Sequence, residues 1–317
     1  MGPEPTADAW QRRLDGAGPL GPVDRSVLLH LALPMLRRLE CCLGGGSAPR
    51  RPVLALNGPV GAGKTSLGQA LERLAALGGL RLVVASIDDL YLPAEQRRQV
   101  LAGNPFGVSR VPPGSHDLPL LMAAVEAWRT GGPLRLPRFD KTLAGGEGER
   151  VGWREQPADA LVIEGWLMGC RALGPAALGA RLRSGAGLED LTAQERDWLP
   201  LWDHHLAAYG KLWGACDGLW MLRPERWSLP RRWRFQAEAR QRRSGGGWLK
   251  PDQLEGLVRA TLHSLPPALY QDPLLEQALS LEPGLPLEGS VILDGRRRYR
   301  PLGVQLSSLA SASSAIG

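Results

Sequence analysis

Between residues 53 and 74 the chain reads VLALNGPVGAGKTSLGQALERL. Gly58, Gly63, Lys64 and Thr65 stand at the fixed positions of G-x-x-x-x-G-K-[ST], the pattern of a phosphate-binding P-loop. The residue types follow from the chemistry. A polyphosphate needs several backbone N–H donors aimed at one spot, and glycines at 58, 61 and 63 leave that approach unobstructed. A helix opening at Lys64 adds its positive dipole end, Lys64 can bridge the outer phosphates, and the Thr65 hydroxyl can ligate Mg2+. The expected cradle for ATP is therefore Gly58, Gly61, Ala62, Gly63, Lys64, Thr65 and Ser66. Only four lysines (Lys64, Lys141, Lys211, Lys250) occur among 38 basic residues, so a lysine kept at position 64 suits a need for a point charge on a flexible stem.

Carboxylates follow two later apolar runs. Asp88 and Asp89 end LRLVVASI at 80–87, and Glu164 ends ALVI at 160–163. In open α/β sheets ligands bind at the carboxyl ends of the strands, so these acids are expected to face the phosphate site, with Glu164 as the Mg2+ partner, directly or through water. Asp89 also suits a helix cap.

The elements that must position these groups read as an α/β chain. A strand at 53–57 enters the P-loop, a helix from Lys64 is ended by Gly78 and Gly79, and further strands are expected at 80–87, 160–163, 218–222 and 290–293. Residues 27–43 carry apolar residues at helical spacing interrupted by Pro34, with His30 on the apolar side as a structural residue. The sequence GSHD at 114–117 precedes a helix at 118–130; Ser115 or Asp117 suits its cap, and His116 is the more informative residue. LRLPRFDK at 134–141 is a short extended segment, 145–153 a mobile loop and 191–213 a helix. The arginine-dense stretch RRWRFQAEARQRR at 231–243 fits either a solvated helix face or a lid that closes over a transferred phosphoryl group. The resulting expectation is a P-loop NTPase fold, a mostly parallel sheet with helices on both faces and a helical lid insertion. Its parts are an N-terminal helical extension at 1–50 packed on the core, a kinase domain at 51–300 with the lid near 225–250, and a disordered tail at 301–317.

Composition narrows the function classes. The chain has 317 residues, 44% of them hydrophobic, and a formal charge of +6 whose basic residues concentrate at 231–243 and 296–300. Such clusters suit nucleic acid, but phosphates of a small substrate explain the same arginines, and no nucleic-acid partner is expected. Cys41, Cys42, Cys170 and Cys216 show no CxxC spacing, which speaks against a zinc site or a disulfide framework. MGPEPTADAW lacks a signal-peptide core, Pro3 weakens a loose acylation match, and no run of eighteen apolar residues occurs, so no membrane partner is expected and the cytoplasm is the expected compartment.

Together GPVGAGKT, SIDDLYL, PGSHDLPL, PRFDK, IEGW and WRFQAEAR stand in the order and approximate spacing of the D-glycerate 3-kinases of plant and fungal type, and over 53–270 the chain closely resembles that family. P-loop, SxDD, GSHD and EGW are shared with the wider group of pantothenate, uridine and phosphoribulose kinases, whereas PRFDK and WRFQAE separate the chain from those relatives. The resemblance implies transfer of the ATP γ-phosphoryl group to the 3-hydroxyl of D-glycerate, giving 3-phosphoglycerate, the closing step of photorespiratory carbon salvage. It implies Asp88 as catalytic base, with Asp88 also counted beside Thr65 and Glu164 around Mg2+, and Lys64 at the transferred phosphate. Arg234 and Arg242 fall to the lid. The glycerate carboxylate needs cations, for which Arg138 and Lys141 are the candidates, with Tyr91 and His116 for the hydroxyls. Two departures stand out: Asn57-Gly-Pro-Val replaces a more polar loop start, and the absence of a transit peptide fits a bacterial cytoplasm rather than a plastid. Past Pro273 the match is poor. The rival readings are a kinase of the same fold acting on a nucleoside, pantothenate or another hydroxylated acceptor, with Phe139, Trp153 and Trp166 available for stacking, and a non-catalytic nucleotide-binding protein, which would have no need of Asp88 and Glu164.

Overall fold

The computed structural model describes residues 7–44, 50–243, 245, 249–277 and 285–301. The tail expected at 301–317 lies, apart from Pro301, outside the described residues.

The described residues form one sheet of six strands and a separate hairpin. In chain order the strands are β1 (Val53–Asn57), β2 (Leu82–Ser86), β3 (Leu134–Asp140), β4 (Glu149–Gln156), β5 (Ala160–Gly165), β6 (Leu219–Pro224), β7 (Leu287–Leu293) and β8 (Tyr299–Arg300). The main sheet runs β2-β5-β1-β6-β7-β8, parallel throughout except for β8, which returns antiparallel on β7. Every residue of β1 and β5 is buried, as expected of parallel strands covered on both faces. Alternation along β1 divides the core: Val53 and Ala55 join an apolar cluster on one face, Leu54 and Leu56 a second on the other. The first holds the helix Leu118–Arg129 against the sheet, and the second holds the P-loop helix Lys64–Leu77 and the helix Leu33–Gly44. Because β1 leads through the P-loop helix to β2, with β5 inserted between them, a crevice opens at the carboxyl ends of these strands. The register places Ser86 of β2 beside Glu164 of β5, and Asn57 of β1 beside Gly165. The P-loop, Asp88 and Glu164 thus leave the sheet along one edge.

Four local expectations change. The helix read at 27–43 begins with a π-helical turn, Leu28–Ala32, before Leu33–Gly44. Pro34 has no N–H and its ring would strike a carbonyl one turn back, and a widened turn just before it absorbs that clash. His30 is exposed and stacks on Tyr299 with ring centroids 4.5 Å apart, rather than sitting on an apolar side. The loop read at 145–153 is instead largely β4, paired antiparallel with β3 through a register shift between Arg138 and Phe139. The helix at 191–213 is two helices, Ala193–Ala207 and Gly210–Ala215, with Tyr209 at the junction. The arginine-dense segment forms one helix, Leu229–Arg243.

Candidate active site

The P-loop side of the site is built on backbone that only glycine adopts without strain. Gly61 has φ +77° and Gly63, at the cap of the helix Lys64–Leu77, φ +95°. A Cβ at Gly61 would lie 2.8 Å from Trp233 Cβ and 2.9 Å from the Arg234 nitrogen, so the start of the arginine-dense helix rests directly on the loop. Arg297, in the turn between β7 and β8, joins the two: its Nε donates to the Gly61 carbonyl (2.6 Å) and its Nη2 to the Trp233 carbonyl (3.0 Å). Lys64 Nζ donates to the Pro59 carbonyl (3.2 Å) and stands 3.7 Å from Glu164 Oε2. Glu164 is buried, and burial raises its carboxyl above the ordinary carboxylate range against the pull of Lys64.

Across the crevice, Ser86 caps a short 3-10 turn, Ile87–Leu90, accepting the Asp88 N–H on Oγ at 3.3 Å. Asp88 Oδ2 receives Lys141 Nζ at 2.6 Å and Asp88 Oδ1 receives the Tyr91 hydroxyl at 2.9 Å. Burial works to raise the Asp88 carboxyl, but Lys141 and His116 outweigh it and hold it well below the usual range. Asp89, next in sequence, is pushed up to about 6, chiefly by burial and further by Asp88, with Lys141 opposing. Adjacent carboxyls are thus set far apart in acidity. His116 is buried, which lowers its basicity while Asp88 acts the other way. Its ring stacks on Tyr91 at 4.6 Å, and Tyr91 in turn meets Phe139 edge-on at 5.1 Å. Asp117 caps the helix Leu118–Arg129 through the Leu120 N–H (3.1 Å) and also accepts Arg150 Nη2 (2.9 Å), while Arg150 Nε donates to the Tyr91 carbonyl (2.9 Å). The hairpin is thereby tied to the segment that carries Asp88. Arg97, fully buried, donates to the carbonyls of Leu92, Ser109, Glu147 and Gly148 and fastens the same region from behind.

A cavity of about 410 Å³ brings Lys64, Thr65, Asp88, Asp89, Lys141 and Glu164 together. The hydroxyl of Thr65 and the carboxylates of Asp88 and Glu164 are hard oxygen donors lining this one cavity, a set suited to a Mg2+ ion that keeps waters and phosphates as its other ligands. Among the described residues no group of three or more His, Cys, Asp or Glu is gathered as a metal site. A second cavity, about 330 Å³, adjoins Gly61, Ala62, Gly63, Lys64, Thr65 and Ser66 on the outer side of the loop and is walled by Arg234, Arg240 and Arg297. Arg234 also forms an ion pair with Glu238 at 2.7 Å and lines a third cavity beside Lys141, so it stands between the phosphate cradle and the Asp88 region.

Five expected positions line none of these cavities: Gly58, Tyr91 and His116, the latter two buried beside Asp88, and Arg138 and Arg242. Arg138 is exposed on β3 and lines a neighbouring cavity with Asp89, while Arg154, from β4, reaches the one that holds Lys64 and Asp88. Arg242 is exposed outside the 330 Å³ cavity, where Arg240 stands instead. Arg150, Arg154, Arg240 and Arg297 are the basic residues that sequence reasoning missed; the concentration of charge at 296–300 was the available signal for the last.

No family model matches the chain. It is 28% identical over 236 residues to the chloroplastic D-glycerate 3-kinase of Arabidopsis thaliana, covering 69% of this chain and 49% of that protein. It is also 28% identical over 198 residues to an uncharacterized kinase of Schizosaccharomyces pombe, covering 59% of this chain and 69% of that one. The chain therefore spans about half the length of the Arabidopsis relative. Among solved structures it is similar to the D-glycerate 3-kinase from Cryptococcus neoformans, with a TM-score of 0.69, 25% identity, and coverage of 86% of this chain and 95% of that one. No helix among the described residues is long and apolar enough to cross a membrane. Motifs, sheet order and these similarities agree: the chain has the P-loop kinase fold, and what it resembles within that fold is the D-glycerate 3-kinases.

Proposed function

We propose that the chain is an ATP-dependent kinase that transfers the γ-phosphoryl group to the 3-hydroxyl of D-glycerate, giving 3-phosphoglycerate, as a cytoplasmic enzyme of photorespiratory carbon salvage. The observation that carries this reading is the Lys141 ammonium on Asp88, 2.6 Å from Oδ2, in the same cavity as Lys64 and Thr65. A hydroxy acid brings a carboxylate for a cation and a hydroxyl for a base, and this pair offers both. When the substrate carboxylate takes Lys141, Asp88 loses the partner that depresses its carboxyl, becomes more basic, and accepts the proton of the attacking hydroxyl. Phosphoryl transfer leaves the protein chiefly positioning and charge neutralisation to perform. In this reading the loop N–H groups and Lys64 hold the phosphates, Arg234 neutralises charge on the transferred group, and Arg240 and Arg297 serve the outer side of the nucleotide. Tyr91 and His116 orient the acceptor, Lys141 takes over the carboxylate role without Arg138, and Arg154 lies within reach of the same cavity. Thr65, Glu164 and Asp88 would hold Mg2+, which supplies charge neutralisation across the β- and γ-phosphates when bound.

The test is ATP-dependent turnover read by phosphorus NMR, with D-glycerate, L-glycerate, pantothenate and uridine as parallel acceptors. The expected result is a 3-phosphoglycerate signal with D-glycerate, reduced about 100-fold to 10,000-fold in Asp88→Asn. Phosphate appearing on pantothenate or uridine instead would overturn the glycerate assignment, and no transfer to any acceptor would overturn the kinase reading.

A further inference from the structure

The acceptor side of the crevice contains a buried hydroxyl with one geometric task. Tyr209, at the junction between the helices Ala193–Ala207 and Gly210–Ala215, is completely buried. Its oxygen receives the Gly114 N–H at 3.3 Å and lies 2.7 Å from His116 Nδ1. A phenol has a single proton to give, and Gly114 is itself a donor. Among the described residues, the acceptor in reach of that proton is His116 Nδ1. The imidazole must then carry its own proton on Nε2, because a nitrogen that accepts cannot also donate.

Nε2 is where the arrangement becomes informative. It is buried, has no hydrogen-bond partner among the described residues, and stands 4.0 Å from Asp88 Oδ1, too far to bond and close enough for one further oxygen to touch both. Asp88 Oδ1 already accepts the Tyr91 hydroxyl, and the His116 ring is fixed by the Tyr91 face at 4.6 Å and the Tyr209 edge at 5.8 Å. A buried donor left without a partner is costly, so a site that keeps one aimed beside its carboxylate is shaped for an oxygen that arrives with a ligand.

We propose that Tyr209 is a positioning residue of the acceptor site: it fixes His116 in the Nε2–H tautomer, and that N–H is the donor that fixes the acceptor oxygen at Asp88. The assignment of that oxygen to a phosphorylated substrate rests on the kinase reading above; the tautomer does not. Gly114 belongs to the same device. Its φ is +93°, and a Cβ there would lie 2.9 Å from the His205 ring, so only glycine lets the loop approach the helix closely enough for its N–H to reach Tyr209.

The first test uses the wild-type protein. In nitrogen-15 NMR of histidine-labelled protein, with His116 assigned by loss of its signals in His116→Gln, the expected spectrum has a protonated Nε2 and an unprotonated Nδ1. A spectrum with the proton on Nδ1 overturns the proposal with no variant needed. The second test is Tyr209→Phe, which deletes one oxygen. Expected are a mixture of His116 tautomers and a KM for the hydroxylated acceptor raised about tenfold, with the KM for ATP unchanged, as suits loss of one buried hydrogen bond. A single Nε2–H tautomer retained in the variant, or ATP and acceptor KM rising together, overturns the positioning role. Should the wild type phosphorylate no acceptor, the kinase reading fails, and the wild-type spectrum still decides the tautomer.

Discussion

Replacing Lys141 with methionine keeps most of the side-chain stem and removes the ammonium that stands 2.6 Å from Asp88 Oδ2. Two unit charges 4 Å apart attract by about 4 kcal/mol in surroundings of effective dielectric near 20. The Lys141 side chain is 51% exposed and Asp88 26%, so solvent screening cuts the pair's contribution to about 1–2 kcal/mol. The sign follows from what acts on Asp88. Burial raises its carboxyl, and Lys141 is the first of the groups that outweigh burial and hold the carboxyl well below its ordinary value. In the wild type Asp88 is therefore ionised well into the acid range, and the ion pair's stabilisation is present above the unfolded carboxyl's range and is lost only as pH falls through the depressed native value. In Lys141→Met the lowering influence weakens, burial remains, and the acid limb of kcat/KM moves to higher pH. The substrate carboxylate loses its cation as well, so kcat/KM for D-glycerate at neutral pH falls by about 10-fold to 100-fold. The assay is ADP release at saturating ATP, with D-glycerate varied across the acid range. An acid limb that does not move, together with an unchanged D-glycerate KM, would refute both the electrostatic argument and the carboxylate role.

Gly61→Ala adds a Cβ 2.8 Å from Trp233 Cβ on backbone with a φ of +77°, and should cost about 2–4 kcal/mol of stability and weaken ATP binding; thermal unfolding with and without ATP checks this. Arg297→Ala removes donors to the Gly61 and Trp233 carbonyls, so calorimetric ATP affinity should fall by about 5-fold to 100-fold while acceptor KM stays unchanged. Glu164→Gln keeps the shape but removes a buried carboxylate beside Lys64, and the Mg2+ concentration for half-maximal activity should rise; an unchanged Mg2+ dependence would separate Glu164 from the metal.

The parts of this molecule that were legible in its sequence are those where one force dominates. The P-loop can be read because close backbone approach admits only glycine, and β1 and β5 because strands buried on both faces run apolar up to the polar residue, Asn57 or Glu164, at the crevice. β4, ERVGWREQ, stands outside the main sheet with mostly exposed residues, so no continuous apolar pattern announces it, and Arg150 and Arg154 were lost with it. Arg138 of β3 and Arg154 of β4 lie on one face of the hairpin and line one cavity, and only the pairing of the two strands, which no local signal records, brings Arg154 beside Arg138. The helix Leu229–Arg243 has too little apolar face for its rotational phase to be read from the sequence, so nothing in the sequence separates Arg240, which lines the cavity, from Arg242. Tyr209 and His116 are 93 residues apart, and Lys141 and Asp88 are 53 apart; such meetings belong to the tertiary fold.

The cavity outside the P-loop is walled by Val23, Asp24 and Val27 from early in the chain and by Leu293 and Arg297 from late in it. During synthesis the strand, loop and helix at 53–77 emerge long before the turn that clamps them. A nascent chain stopped short of β7 owns the glycine loop but not the arginine that fastens it to the helix above. A nucleotide held in that cavity would touch residues 23–27 and 293–297 together, so it should bind more weakly to a chain that stops short of β7 and protect both segments from proteases at once.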